Sequence, residues 1–293
     1  MSFIRDIQMQ FGQATALYRL MAINIAVFLI LMLIRTIMYL AGGDDFLVNE
    51  IVGWLSLPAS PGAVLYQPWG LVTYMFLHQD IMHILFNMLI LFWTGRLFTE
   101  YLGNDKLWGT YVLGGISGAI LYVLAFNLFP AFETARSTAY LLGASAGVIA
   151  ILVAIATLLP DYTVHLLIFG AVRLKYLAIV SILLYFISIP LGNAGGHIAH
   201  LGGALFGFLM VKQLRAGRDL TAWLTGLGSR RRKVPMKVVS RGGRALSTDE
   251  SIREQAIATQ EMVDQILDKI NKSGFDSLSK QEKEILYKAS GKK

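Results

Sequence analysis

A chain of 293 residues that is 55% hydrophobic and 15% charged, with a mean hydropathy of +0.56, is too apolar to fold as a soluble globular domain of that length. Its net charge of +7 resides in the tail: 18 of the 26 basic and 10 of the 19 acidic residues fall in 212–293, which leaves the apolar part close to neutral. The absence of cysteine excludes disulfides and thiol catalysis.

In chain order, residues 1–19 mix polar and apolar side chains and lack the short apolar core and small residues of a cleavable signal. Phe3, Ile4, Ile7 and Phe11 share one helical face, which predicts a short helix lying on the cytoplasmic leaflet. Apolar segments follow at 20–41, 82–101, 107–129, 143–160, 174–190 and 197–213. Each is near the roughly 17–25 residues that cross the hydrocarbon as a helix. The expected fold is all-α: a polytopic bundle of six transmembrane helices with both termini on one side. Arg5, Arg19, Arg96, Lys106, Arg173 and Lys175 occupy the connections 1–19, 96–106 and 161–175 and assign them to the cytoplasm. Segment 42–80 has no Lys or Arg and 130–142 has only Arg136, so both face outward. Arg35, near the outer end of the first span, is expected to snorkel. Trp54, Leu55, Leu57 and Trp69 predict an amphipathic element in the outer interface.

Composition changes after the sixth span. Arg230-Arg231-Arg232-Lys233 and the Gly, Ser and Arg residues that follow predict a flexible linker over 214–250, drawn to anionic lipid. The tract lacks interleaved aromatics, which argues against nucleic acid as its partner. In 251–293, Ile257, Met262, Ile266 and Ile270 form an apolar stripe that Gly274 ends, and Ser279 with Glu282 makes a capping box for a second helix. The segment reads as a small helical hairpin able to dock an unidentified cytoplasmic partner. The division is therefore 1–19, 20–213, 214–250 and 251–293.

Polar residues inside apolar spans are functional candidates by default. Ser145, in Gly143-Ala144-Ser145-Ala146-Gly147, begins the fourth span, and His200 lies about one turn into the sixth from the same side. A hydroxyl is a poor nucleophile unless a base within hydrogen-bond reach takes its proton, which is the work of such a histidine. Gly203 and Gly207 form a small face that lets the sixth helix approach the fourth closely. His83 and Asn87, four apart on the second span, are expected to aim donors at one developing oxyanion. His197, one turn before His200, is a second candidate base, ranked lower because the glycine spacing follows His200. Other readings fit less well. Gly143-x-Ser145-x-Gly147 matches the nucleophile elbow of soluble hydrolases, but no strand precedes it and no parallel sheet surrounds it. No His-Glu-x-x-His string occurs. His78, His83, His197 and His200 have no carboxylate or cysteine among them to complete a metal site, and no span carries a central Asp or Glu relay of the kind a transporter uses.

Phe76-Leu77-His78, His83-Ile84-Leu85-Phe86-Asn87, Gly143-Ala144-Ser145 and Ala199-His200-Leu201-Gly202-Gly203 with Gly207 stand in the order of the signature blocks of the rhomboid intramembrane serine proteases, which this chain resembles over roughly 20–213. The resemblance implies a Ser145 nucleophile, a His200 general base and an oxyanion hole of His83, Asn87 and the Ser145 N–H. It makes His78 a structural histidine, and Glu100 with Leu102-Gly103 the end of the second helix. It also implies transmembrane proteins as substrates, no cofactor and no metal; a non-catalytic binder or chaperone on the same fold is the alternative. The expected location is a bacterial plasma membrane with cytoplasmic termini. Three positions depart from the family pattern: Ala146 stands where Gly often follows the serine, Trp69-Gly70 stands for Trp-Arg, and Ile149 replaces an aromatic. The last two changes remove a charged anchor of the outer loop and a stacking partner for His200.

Overall fold

The computed structural model describes residues 15–166 and 170–224, with 266, 269–270, 278–279 and 281–283 further on. The chain divides into two compact units, Met1–Arg230 and Arg231–Lys293. The surface helix expected before residue 15, the basic tract and most of the hairpin lie outside the described residues.

Within the first unit the described helices are α1 (Ala16–Leu40), α2 (Phe46–Leu55), α3 (Pro61–Tyr66), α4 (Gly70–Thr73), α5 (Ile81–Leu102), α6 (Asn104–Leu128), α7 (Ser145–Leu158), α8 (Leu174–Ser188) and α9 (Ala194–Arg215). Five are long and apolar enough to cross a membrane: α1, α5, α6, α8 with its 3-10 extension to Leu191, and α9. The fourth expected span is shorter than its apolar run. α7 has 14 residues, about 21 Å at 1.5 Å per residue, against a hydrocarbon layer of about 30 Å. It need not reach either headgroup layer, because it is enclosed by protein: every residue from Ala146 to Ala156 is buried.

Small residues permit that enclosure. A Cβ on Gly203 would collide with the Ala146 carbonyl oxygen, and one on Gly207 with that of Ala150, so α9 lies directly on the backbone of α7. The third helix of this seam was not foreseen. On α6, Gly114 abuts the Ala150 methyl, and a Cβ on Gly118 would lie 2.7 Å from both the Ala146 methyl and the Ala199 carbonyl oxygen. At that approach Ser117 Oγ donates to the Gly202 carbonyl at 2.8 Å. Without water to drive association, such close backbone contact and interhelical hydrogen bonds hold membrane helices together.

Helix ends are fixed by side chains and glycine. Asp80 caps α5 by accepting from the His83 N–H at 2.7 Å. Gly103, at φ +84°, ends α5 and starts α6 with no loop between them. Arg215 donates to the Thr157 and Leu158 carbonyls at 3.0 and 3.1 Å, closing the end of α7 remote from Ser145.

Two short antiparallel ribbons punctuate the helices. β1 (Leu57–Pro58) pairs with β2 (Tyr140–Leu141), tying the connection between α1 and α5 to the segment that leads into Ser145. Gly70 does not loosen that connection. It is buried, and a Cβ there would lie 2.7 Å from the Ser56 carbonyl oxygen. Anchoring falls instead to Trp69 Nε1, which donates to the Trp54 carbonyl at 2.6 Å, and to Thr73 Oγ1, which donates to that of Leu55 at 2.6 Å. Arg35 Nε lies 3.2 Å from the carboxylate of Asp45, just beyond the end of α1, a half-exposed pair worth about 0–1 kcal/mol.

At the opposite end, 161–175 forms a hairpin of β3 (Thr163–Leu166) and β4 (Gly170–Arg173). Asp161 closes its base, 2.7 Å from Lys175 Nζ and 3.3 Å from Arg173. Its carboxyl is held below the usual range, first by the hydrogen bond from Lys175. The folded unit also continues past residue 213: Asp219 pairs with Lys106 at 3.2 Å, and Thr221 is fully buried against Gly109. In the second unit, Ser279 and Glu282 form the reciprocal capping box, with bonds of 2.7 and 3.3 Å.

Candidate active site

Ser145 is the first residue of α7, and the helical ladder starts with Val148 N–H bonded to the Ala144 carbonyl at 3.0 Å. The N–H groups of the first turn therefore have no partner within the helix. The preceding chain is set by Gly143, whose N–H donates to the Tyr74 carbonyl at 2.9 Å and whose φ of +124° suits only glycine.

The Gly203 and Gly207 seam brings α9 onto α7 in a register that places His200 Nε2 at 2.6 Å from Ser145 Oγ. Both residues are half-buried. For the hydroxyl to donate, the imidazole must carry its proton on Nδ1, and that atom has no hydrogen-bond partner among the described residues. Among the described residues the pair has no acidic third member.

His200 is nevertheless oriented. The Tyr185 ring of α8 meets it edge to face, with centroids 4.4 Å apart at 63°. The stacking partner that Ile149 cannot supply thus comes from another helix. Sequence reasoning missed Tyr185 because its only local signal is an aromatic in an aliphatic run. His197 lies 6.0 Å from His200 between ring centroids and 6.1 Å from Tyr185, so it flanks the dyad, while the hydroxyl faces His200.

His83 approaches from α5. A Cβ on Gly143 would lie 2.9 Å from His83 Nε2 and 3.6 Å from Ser145 Oγ, so the missing side chain is the gap in which ring and hydroxyl converge. His78 is 2% exposed and packs its ring against His83 at 4.9 Å, fixing the orientation of that imidazole. Asn87 is buried one turn below, with Nδ2 donating to the His83 carbonyl at 2.9 Å, which leaves its second amide hydrogen for another acceptor. Glu100 lies at the other end of α5, exposed. Among the described residues no group of three or more His, Cys, Asp or Glu side chains could hold a metal ion.

Comparison with known proteins bears on the family of the chain. Residues 66–216 match the Rhomboid domain family, and residues 237–292 match a family of unknown function (DUF6576). The chain is 31% identical over 157 residues to RHOMBOID-like protein 12, mitochondrial, of Arabidopsis thaliana, which covers 50% of this chain and 47% of that protein. It is 27% identical over 168 residues to RHOMBOID-like protein 1 of Arabidopsis thaliana, covering 57% of this chain and 39% of that protein. The chain thus spans less than half the length of these relatives. The Rhomboid match alone takes in just over half of the chain, and with five helices fit to cross a bilayer it shows that this multi-pass, all-α membrane protein belongs to the rhomboid family.

Proposed function

We propose that this protein is a serine endopeptidase that hydrolyses a peptide bond in or near the transmembrane segments of other membrane proteins. The observation that carries the reading is the 2.6 Å contact between Ser145 Oγ and His200 Nε2, made at the mouth of an otherwise apolar bundle. In this reading His200 takes the hydroxyl proton as Ser145 Oγ attacks the carbonyl carbon. The negative charge that develops on oxygen meets the Ser145 N–H, His83 and the free hydrogen of Asn87. Collapse breaks the C–N bond, and the imidazolium returns the proton to the leaving amine. Water then attacks the acyl-serine while His200 takes a proton from it; the C–Oγ bond breaks, and the imidazolium returns the proton to Ser145 Oγ, releasing the carboxylic acid. No cofactor enters. Substrate helices must unwind locally to present a carbonyl, which favours helix-weakening residues around the cleaved bond. The distribution of basic residues supports cytoplasmic termini, with the basic tail attracted to anionic lipid and the C-terminal hairpin free to bind a partner.

The direct test is a fluorophosphonate probe on the detergent-purified protein. Labelling that vanishes in Ser145→Ala supports the enzyme; a folded wild-type protein that never labels or cleaves is instead a non-catalytic binder on the same fold.

Two weaker variants separate the roles of the surrounding residues. Loss of one oxyanion donor lowers turnover on the order of 10²–10³-fold in a soluble protease, so Asn87→Ala should lower kcat by roughly that factor with KM nearly unchanged. A changed melting temperature with unaltered kcat would make Asn87 only a packing group. Tyr185→Ala should lower kcat by about tenfold, the scale of a lost aromatic contact of ~0.5–1.5 kcal/mol, whereas Tyr185→Phe should match the wild type. Equal losses in both would point to the phenol oxygen and away from ring packing.

A further inference from the structure

Remote from the dyad, about 20 Å along α5 at 1.5 Å per residue, the far ends of α5 and α8 part around a cleft of about 580 Å³. Trp93, Arg96 and Glu100 of α5 line one side; Tyr162 and His165 at the hairpin and Leu177 of α8 line the other. The lining is mostly apolar and includes side chains of both charges, Arg96 and Glu100.

Arg96 and Glu100 are one helical turn apart, both exposed, and among the described residues neither has an ion-pair partner. Arg96 is held over the Phe92 ring at 5.5 Å, a cation–π contact that leaves its N–H groups free. Trp93 and Tyr162, which both line the cleft, are 53% and 43% exposed, as aromatic side chains are where a membrane meets water. The site therefore offers a guanidinium and an imidazole to an anion, a carboxylate to a cation, and an apolar slot below both.

We propose that this cleft binds a zwitterionic glycerophospholipid whose head carries a primary ammonium, with the phosphate on Arg96 and His165, the ammonium on Glu100 and an acyl chain along Leu177. An ammonium joined to its phosphate by two carbons bridges the one-turn spacing of Arg96 and Glu100 and gives the carboxylate N–H donors, which a quaternary ammonium lacks. A purely anionic head leaves Glu100 facing like charge. A transmembrane substrate fits less well, because the basic residues that flank such helices would face Arg96.

The test is native mass spectrometry of the full chain in detergent with phosphatidylethanolamine, phosphatidylcholine or phosphatidylglycerol added. Phosphatidylethanolamine should be retained at roughly tenfold lower concentration than the other two, the scale of one added charge-assisted hydrogen bond. Glu100→Gln should erase its advantage over phosphatidylcholine, Arg96→Gln should weaken retention of all three, and Ser145→Ala should change nothing. Equal retention of the three lipids by the wild type, or tightest retention of phosphatidylglycerol, overturns the proposal. So does a preference that survives both substitutions. Should those substitutions raise KM for a transmembrane substrate while the lipid preference stays intact, the cleft is a substrate contact and the lipid assignment fails.

Discussion

Ser145→Ala and His200→Ala are each expected to lower cleavage of a transmembrane substrate by on the order of 10⁴-fold or more, and the double variant to be no worse than either. Members of a nucleophile and base pair act as a unit, so their losses do not add. The geometry makes this a sharp expectation: Nε2 and Oγ are 2.6 Å apart, and among the described residues His200 Nδ1 has no hydrogen-bond partner. Neither truncation opens a large cavity in a half-buried mouth, so melting temperatures should move little. His197→Ala is the control, since its ring lies 6.0 Å from that of His200. The readout is turnover of one model substrate at equal folded concentration. Proteolysis retained by purified Ser145→Ala would end the serine-protease reading, and activity kept by His200→Ala but lost by His197→Ala would move the base.

Gly203→Ala, a single added methyl, is expected to be among the most damaging small changes available in this chain. Its Cβ would overlap the Ala146 carbonyl oxygen, which belongs to a helix backbone and cannot rotate away. Separating α9 from α7 would also strain the Ser117 to Gly202 hydrogen bond and pull His200 off Ser145. Overpacking costs about 1–3 kcal/mol and a strained hydrogen bond about 1 kcal/mol. A total of about 2–4 kcal/mol corresponds to a melting temperature lower by about 4–16 °C in a domain of this size. Gly53→Ala on α2, where a Cβ meets nothing within 4 Å, is the matched control and should be neutral or slightly stabilising. Equal melting temperatures for the two variants would show that the seam is looser than described.

The contrast between these residues explains what could be read from sequence. Hydropathy located the membrane segments because a spanning helix declares itself over some twenty consecutive residues. Ser145, His200, His83 and Gly143 stood out because polar or left-handed residues are conspicuous in apolar runs, and the fold gathers them at one mouth. Gly203 and Gly207 were legible as a pair on one face. Gly114 and Gly118 carry the same spacing on α6, but Ser117 between them is a small hydroxyl whose partner, the Gly202 carbonyl, lies on a helix distant in sequence. The two-residue strands β1 and β2 have no periodicity to detect and lie more than eighty residues apart. Tyr185 and Thr221 were invisible for a related reason: each matters through one contact with a distant helix. α7 was overestimated in length because hydropathy cannot distinguish an apolar residue facing lipid from one facing protein.

That shortness makes α7 a ruler. One end is held by Arg215 and the other carries the hydroxyl, so the distance between them is a property of the chain and not of the bilayer. A helix of another protein lying alongside, level with the end that Arg215 holds, brings to the height of Ser145 a bond on the order of 14 residues up its own axis. Under the proposed activity, choice of the cleaved bond would be partly a matter of position along the membrane normal. Thinner or thicker bilayers, by tilting the neighbour while α7 stays upright in its protein sheath, would slide a different bond into register.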